Sequence, residues 1–188
     1  MHTFLIPIEK PNSFGMKLAY YFTKRAVGKV IASLKVHSAR LPPAFGMFYG
    51  KISELDKKLE LPKETALLIR QQVAQLNICL FCIDASRAEA IKSFMNEKKF
   101  DALANYHSSF IFTEAEKSAL DYTTELTRDK KVKLETFAHL KNHFSERQIC
   151  EIIYLVASEH LYNITNIGLN IHSDMLCDLA KSKKNKLG

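Results

Sequence analysis

Two cysteines with the spacing of a redox pair lie in the segment QLNICLFCIDASRAEA, at residues 75–90. Cys79 and Cys82 are separated by two residues, at the start of a stretch with helical periodicity. Residues three apart share one face of a helix, so the two sulfur atoms could meet there. Free N–H groups and the positive end of the helix dipole favour a thiolate over a thiol at this position. The pair could therefore reduce an oxidant, with one thiolate becoming a sulfenic acid and the second closing a disulfide.

Two other interpretations of the pair remain open from the spacing alone. Free cysteine is among the most buried residue types, so both residues could belong to the core. A zinc site would need two more ligands at suitable spacing. The other cysteines, Cys150 and Cys177, are distant from the pair and from each other. We expect Cys150 to lie in the core and Cys177 to lie near the C-terminal tail, with no role for either.

The composition fits one globular domain with a real core. The chain has 188 residues, of which 47% are hydrophobic and 25% are charged. No apolar run approaches the ~20 residues that span a bilayer, and the N-terminus lacks the basic region of a signal peptide. We therefore expect a cytoplasmic protein without a membrane partner. Four cysteines in such a chain argue against a structural disulfide framework.

The formal net charge of +7 does not by itself predict nucleic-acid binding. Four lysines lie in the terminal segment KSKKNKLG, and removing them leaves +3 (7 − 4) for the rest of the chain. A lysine tail of this kind is usually solvated and disordered. No RNA- or DNA-binding motif accompanies it, so we expect no nucleic-acid partner.

The elements that would position the cysteines are helices. Glycine and proline are scarce, at six and five, and turns consume those residues. Two capping boxes, Thr113 with Glu116 and Ser145 with Gln148, mark helix starts. Apolar periodicity predicts helices over 14–35, 47–60, 62–77, 79–94, 114–128 and 146–171, with one more short helix between 96 and 112. We see no convincing strand, and we predict an all-α domain of about seven or eight helices.

Four segments resemble one known family in order and spacing. They are LPKETALLIRQQVAQLNICLFCIDASRAEAIK, FTEAEKSALDYTTELTRD, HFSERQICEIIYLVA and YNITN. Together they resemble the carboxymuconolactone decarboxylase family, which includes the alkyl hydroperoxidase D proteins. The resemblance covers residues 61–170 and implies a single helical domain of the alkyl hydroperoxidase D-like type. We divide the chain into an N-terminal helical segment (1–60), a family-like core (61–176) and a lysine-rich C-terminal tail (177–188).

The resemblance also implies roles for the two thiols. In the peroxidase branch the second cysteine is the reactive thiolate and the first resolves the sulfenic acid, which here means Cys82 and Cys79. The family's proton relay uses a histidine four residues after the second cysteine and a glutamate twelve before the first. This chain has Ser86 and Leu67 at those positions, so the standard relay is in doubt.

Other residues could take over the relay. Ser86 shares a helix face with Cys82, but its hydroxyl has no useful pKa near neutrality. Glu159 and His160 lie in the long late helix, in the region that the family packs against the cysteine helix. A Glu–His couple from that helix could deprotonate Cys82, although Glu159 could equally be a surface charge and His160 a core histidine. Asp84 is expected to be a solvated charge on the helix face.

We expect a thiol-dependent peroxidase or disulfide oxidoreductase that acts in antioxidant defence. Its partners would be a peroxide substrate and an external dithiol or disulfide reductant protein, and it would need no metal, flavin or haem. The resemblance implies a homo-oligomer, a trimer or a hexamer. Two alternatives remain: a lactone enzyme of the carboxymuconolactone decarboxylase type, and a non-catalytic, redox-sensing oligomer.

Overall fold

The computed structural model describes residues 2–184, and over that range the chain is helical and contains no β-strand. The all-α prediction is therefore confirmed. The expected seven or eight helices are too few, because the described residues form ten α-helices. Their bounds are α1 (Phe14–Val27), α2 (Pro42–Phe45), α3 (Ser53–Asp56), α4 (Lys63–Leu76), α5 (Leu80–Lys92), α6 (Glu97–Ala102), α7 (Glu114–Asp129), α8 (Leu134–Lys141), α9 (Glu146–Gly168) and α10 (Leu176–Lys184).

The region after α1 differs from the prediction. Gly28 ends α1 with a φ of 104°, a left-handed conformation that glycine adopts readily, so the helix predicted over 14–35 stops early. Pro42 and Pro43 occupy the first turn of α2, where a missing backbone N–H is tolerated. The π-helical segment Gly46–Ile52 then separates α2 from α3. The predicted helix over 47–60 is thus replaced by the π-helical segment followed by the short helix α3, while α2 lies before the predicted range.

The two other additional helices are α8 and α10. Only Leu140 of α8 is buried, so its sequence carries a weak apolar stripe. The lysine-rich tail, which we expected to be solvated, forms α10 as far as Lys184 and buries Leu176 and Ala180. Residues 185–188 of that tail lie outside the described residues.

Both predicted capping boxes are present and begin the two longest helices. Thr113 Oγ1 accepts from the backbone N–H of Glu116 at 3.1 Å, while Glu116 Oε2 accepts from the backbone N–H of Thr113 at 2.9 Å. Ser145 and Gln148 make the same reciprocal pair, at 3.2 and 3.1 Å. These bonds satisfy backbone donors that a helix start would otherwise leave free.

Helix α4 lies at the centre of the fold, where it packs against α5, α7 and α9. One apolar cluster joins α4, α7 and α9 around Ile69, Val73 and Ile152, each with 0% exposure. A second cluster joins α5, α10 and the N-terminal region, and it contains both Cys79 and Cys82. The cysteine helix is therefore held between the central helix and the C-terminal one. No helix of the described residues is long and apolar enough to cross a membrane.

Asp84 attaches α10 to α5 and is buried, contrary to the expected solvated charge. Its carboxylate accepts from the Ser173 hydroxyl at 2.9 Å. It also accepts from the backbone N–H groups of Asp174, Leu176 and Cys177 at 3.0, 2.9 and 2.9 Å. A side chain of α5 thereby caps the start of α10, a contact between positions about ninety residues apart that local sequence patterns do not reveal.

Candidate active site

Cys79 and Cys82 are joined by a disulfide, with their Cα atoms 5.3 Å apart. Cys79 immediately precedes α5 and Cys82 lies in its first turn, so the expected meeting of the two sulfurs is confirmed. The residue before the pair, Ile78, has a φ of 57°, which is unusual for a β-branched residue. The backbone N–H of Cys79 bonds to the carbonyl of Ala74 at 2.9 Å, so this left-handed residue lets the chain leave α4 and enter α5 directly.

A cavity of about 340 Å³ lies beside Cys82. Its walls are mainly apolar, and Cys82 is among the lining residues whereas Cys79 is not. The residues that give the cavity its chemistry come from three helices: Arg70 of α4, Cys82 and Ser86 of α5, and Glu159, Tyr162 and Asn166 of α9. A molecule in this cavity would meet the sulfur of Cys82 and not that of Cys79.

Arg70 and Glu159 form a buried ion pair in the cavity wall. Arg70 Nη1 lies 3.1 Å from Glu159 Oε2, and the side chains are 11% and 8% exposed. The second guanidinium nitrogen lies 2.8 Å from Asp56 Oδ1, so Arg70 bridges two carboxylates. Tyr162 covers the guanidinium, with its ring centroid 5.9 Å from Arg70 Cζ. Glu159 is therefore a cavity residue and not a surface charge.

Burial and pairing act in opposite directions on these charges. Burial raises the pKa of Glu159, while Arg70 and the amide of Asn163, which donates to Oε1 at 2.7 Å, oppose that rise. Burial also disfavours the charge on Arg70, but Glu159 and Asp56 together raise its pKa above the usual value. Arg70 thus keeps its charge, while burial makes Glu159 easier to protonate than a solvated glutamate.

Ser86 lies in the cavity wall near Cys82, as the shared helix face predicts. Its hydroxyl donates to Gln71 Oε1 and lies 3.2 Å from the carbonyl oxygen of Ile83. Leu67, at the family's glutamate position, contributes an apolar surface to the same cavity. The two positions of the expected relay are thus occupied by a serine and a leucine, and the ionisable side chains of the cavity lie at other positions, among them Arg70 and Glu159.

His160 is not among the residues that line the cavity. Its Nδ1 lies 3.1 Å from the side-chain nitrogen of Asn77, which also donates to Asn163 Oδ1 at 2.9 Å. Asn163 in turn bonds to Glu159. Burial, followed by the charge of Lys130, lowers the pKa of His160. The structure therefore brings Cys79, Cys82, Ser86 and Glu159 together and leaves His160 connected to them only through two asparagines.

Sequence reasoning missed three residues of the site, namely Arg70, Tyr162 and Asn166. Arg70 interrupts the apolar stripe of α4, and a charge at such a position could have indicated a buried partner. Asn166 donates from Nδ2 to Cys82 Sγ at 3.5 Å. Asn163 follows Glu159 by four residues and Asn166 follows Asn163 by three, which places all three residues on one face of α9.

Other candidate ligands do not gather into a metal site. His139 and His143 have a spacing that some metal sites use, and their ring centroids lie 5.1 Å apart. The described residues contain no group of three or more histidine, cysteine, aspartate or glutamate side chains that could hold a metal ion. Cys150, expected in the core, is exposed on α9.

Several known proteins are similar to this chain in sequence or in fold. No protein-family profile matches the chain. The uncharacterized protein YnjA of Escherichia coli (strain K12) is 24% identical over 168 residues, covering 85% of this chain and 88% of YnjA. The AhpD core of an uncharacterized peroxidase-related protein from Ralstonia eutropha JMP134 superposes with a TM-score of 0.75 at 20% identity, covering 89% and 90% of the two chains.

A third similar structure is an enzyme of a different stated activity. The debrominase Bmp8, in complex with 2,3,4-tribromopyrrole, superposes with a TM-score of 0.79 at 17% identity, covering 97% of this chain and 98% of Bmp8. Identities this low establish similarity of fold. The chain therefore has the fold that these AhpD-like and peroxidase-related structures share.

Proposed function

We propose that the protein is a thiol-dependent oxidoreductase that reduces peroxides. The observation that carries this proposal is a disulfide of which one cysteine, Cys82, lines the cavity while Cys79 does not. This asymmetry supports the roles implied by the resemblance, with Cys82 as the attacking residue and Cys79 as the resolving one. The AhpD-like fold supports a role connected with antioxidant defence.

The proposed cycle consumes one hydroperoxide for each disulfide formed. The Cys82 thiolate attacks the terminal peroxide oxygen, so that an S–O bond forms, the O–O bond breaks and the electron pair leaves with an alkoxide. The alkoxide takes up a proton and becomes an alcohol. The Cys79 thiolate then attacks Cys82 sulfur, and the hydroxyl group leaves as water after protonation. An external dithiol reduces the disulfide and is itself oxidised.

Glu159 is the residue that we assign to proton transfer in this cycle. Glu159 lines the cavity, and burial raises its pKa, which makes its carboxylate a better proton acceptor than a solvated one. It can take the proton from Cys82 and return it to the alkoxide. Arg70 fixes the carboxylate and keeps positive charge beside the reacting atoms.

Peroxide consumption with dithiothreitol as the reductant tests the proposal. Cys82→Ser should abolish turnover because no attacking sulfur remains. Cys79→Ser should stop after one oxidation per chain and accumulate a sulfenic acid or mixed disulfide that mass spectrometry detects. Cys150→Ser, which changes an exposed cysteine away from the cavity, should match the wild type. Undiminished turnover in both Cys79 and Cys82 variants would contradict the thiol mechanism.

A second candidate function is the reductive removal of halogen from a small aromatic compound. It is favoured by the Bmp8 superposition over 97% of this chain and by the apolar cavity beside Cys82. Two thiols would supply the electrons: the aryl bromide gains hydrogen in place of bromine, bromide leaves, and Cys79 and Cys82 become a disulfide. Incubating the reduced protein with 2,3,4-tribromopyrrole and measuring free bromide distinguishes this activity from peroxide reduction.

The alternatives without a thiol cycle predict different results in the same assays. A lactone enzyme of the carboxymuconolactone decarboxylase type would keep its activity after both cysteines became serine. A redox sensor would form the Cys79–Cys82 disulfide once with peroxide and show no turnover with dithiothreitol. Thiol titration before and after peroxide, with mass mapping of the peptide that contains the pair, separates these cases.

We also propose that the chain forms a homo-oligomer. Large apolar side chains are exposed along α9 and α1, including Leu161 and Ile164 at 40% and 66%, and Phe14 and Tyr21 at 80% and 58%. Exposed apolar side chains in such number are typical of protein interfaces. Size-exclusion chromatography with light scattering would give the number of subunits, which the resemblance puts at three or six.

A further inference from the structure

Asn166 presents a hydrogen-bond donor to the sulfur that faces the cavity. It lies on α9, is 2% exposed and lines the cavity. Its Nδ2 donates to Cys82 Sγ at 3.5 Å. A disulfide sulfur is a weak acceptor, whereas a thiolate accepts a charge-assisted bond that is roughly twice as strong as a neutral one. The contact therefore stabilises the reduced, ionised state of Cys82 more than the oxidised state.

The other end of the same amide has no partner. Asn166 Oδ1 is buried and makes no hydrogen bond within the described residues. Leaving a buried acceptor unsatisfied costs about 1–3 kcal/mol, so such groups are uncommon in folded proteins. An unpaired carbonyl beside a reactive sulfur is available to a ligand that carries an O–H or N–H group.

The backbone around Asn166 holds this amide in place. The Asn166 carbonyl accepts from the N–H of Ile171 at 2.9 Å and lies 3.3 Å from the N–H of Leu169, which closes the end of α9. The side chain projects from that fixed end into the cavity. A donor and an acceptor that are positioned before the substrate arrives need no reorganisation during the reaction.

We propose that Asn166 is a catalytic residue whose Nδ2 stabilises the Cys82 thiolate and whose Oδ1 accepts the O–H of the hydroperoxide. This assignment rests on the proposed peroxidase function. The oxygen that carries this hydrogen is the one transferred to sulfur, because the thiolate attacks it and the O–O bond breaks on its other side. After the transfer the same O–H belongs to the sulfenic acid of Cys82, so Oδ1 serves reactant and product alike.

The test follows alkylation of Cys82 in the Cys79→Ser variant, in which no disulfide with Cys79 can form. Mass spectrometry identifies the alkylated residue as Cys82. Asn166→Leu has a similar shape but lacks both donor and acceptor, and Asn166→Asp keeps an acceptor while losing the donor. Both should raise the pKa measured from the pH dependence of Cys82 alkylation by iodoacetamide. Thr165→Val, a neighbour whose hydroxyl bonds only to the Leu161 carbonyl within the described residues, is the matched control and should change nothing.

A second measurement isolates the acceptor. At a pH where Cys82 is fully ionised in every variant, Asn166→Leu should lower the rate constant for oxidation by cumene hydroperoxide about 10-fold, the effect of one lost hydrogen bond to a reacting group. Alkylation by iodoacetamide at the same pH should not change. Equal losses in both reactions, or no change in the alkylation pKa, would overturn the proposal.

The alkylation and oxidation measurements also distinguish a failure of this proposal from a failure of the peroxidase function on which it rests. If the wild-type protein does not reduce hydroperoxides, the peroxidase proposal fails, and the alkylation pKa still decides whether Asn166 donates to Cys82. If the wild type reduces hydroperoxides and Asn166→Leu does so at the same rate, only the role of Asn166 fails. Circular dichroism of each variant verifies the fold, and Asn166→Asp carries the pKa test if the leucine variant does not fold.

Discussion

At the scale of single residues, the cavity holds its ionisable groups in a different arrangement from the one the family pattern implies. The glutamate and histidine positions of that pattern are Leu67 and Ser86, both in the cavity wall. Glu159 enters from α9 and is held by Arg70 of α4. A carboxylate can thus reach the neighbourhood of the reactive sulfur from another helix, so the loss of a motif position does not imply the loss of acid–base chemistry.

Glu159→Gln tests this reassignment. Glutamine preserves the volume of the side chain but cannot exchange a proton near neutrality. If Glu159 accepts the proton of Cys82, the rate of Cys82 oxidation at neutral pH should fall about 100-fold, a typical contribution of general acid–base catalysis. The pKa governing Cys82 alkylation should rise as well, and stopped-flow oxidation with pH-dependent alkylation measures both.

Glu151→Gln provides the matched control for this experiment. Glu151 is also a buried carboxylate of α9, but it accepts from the backbone N–H groups of Glu60 and Leu61 away from the cavity. It should leave the alkylation profile unchanged. A lowered alkylation pKa in Glu159→Gln would show instead that Glu159 only places negative charge near the sulfur.

Local spacing predicted part of the site and could not predict the rest. The Cys79–Cys82 bond follows from positions three apart at a helix start, and this geometry is contained in the sequence itself. The Arg70–Glu159 pair joins positions 89 apart, and the Asn166–Cys82 contact joins positions 84 apart. Such contacts depend on how α4, α5 and α9 pack, which periodicity does not specify.

At the scale of elements, α10 closes the cavity from the C-terminal side. Leu176, its first residue, contributes to the cavity wall, and Asp84 holds the start of the helix on α5. The sequence predicted a solvated tail here because four lysines dominate it. The burial of Leu176 and Ala180 and the cap from Asp84 nevertheless hold this segment in a helix against the fold. The capping boxes of α7 and α9 were predictable, in contrast, because both partners of each box lie within four residues.

Asp84→Ala should detach α10. It leaves several backbone N–H groups without their acceptor, and we expect a loss of about 2–3 kcal/mol in the free energy of unfolding. Urea denaturation measures the loss, and trypsin should cut faster at the lysines of α10. Asp178→Asn, an exposed residue of the same helix, should stay within about 0.5 kcal/mol of the wild type. Equal effects from the two variants would contradict a capping role for Asp84.

At the scale of the whole molecule, several buried groups make stability depend on pH. Burial lowers the pKa of His37 and of His160. Burial opposes the charge of Glu151, but Arg147 and the N–H groups of Glu60 and Leu61 lower its pKa overall. The folded state therefore binds protons at these groups less readily than the unfolded state does, and acid should destabilise the fold.

The expected loss occurs in two stages. His37 and His160 contribute fully to the free energy of unfolding above pH 6.5, the pKa of a histidine in the unfolded chain. This contribution is lost as the pH falls through their lower pKa values in the folded state. The Glu151 contribution is present above 4.5 and is lost further into acid. The pKa of Glu159 is raised in the folded state, so its contribution to stability decreases as the pH rises above 4.5. Because this effect opposes the others, the contribution of a single group is best measured by comparing a variant with the wild type.

His160→Gln should therefore weaken the first stage. Urea denaturation between pH 5 and 8 should show a smaller decrease in the free energy of unfolding than the wild type shows, because one group no longer resists protonation. His143→Gln, which changes an exposed histidine, should retain the wild-type slope. Identical slopes for all three proteins would mean that His160 does not contribute to the acid sensitivity.

The disulfide between Cys79 and Cys82 closes a ring of neighbouring residues within a single helical turn. A cross-link over so short a loop restrains the unfolded chain far less than one between distant segments. Both cysteines belong to the apolar cluster between α5 and α10, but the Asp84 hydrogen bonds and the Arg70–Glu159 ion pair join helices without involving either sulfur. In the proposed cycle the disulfide can consequently open and close while these links between helices stay in place.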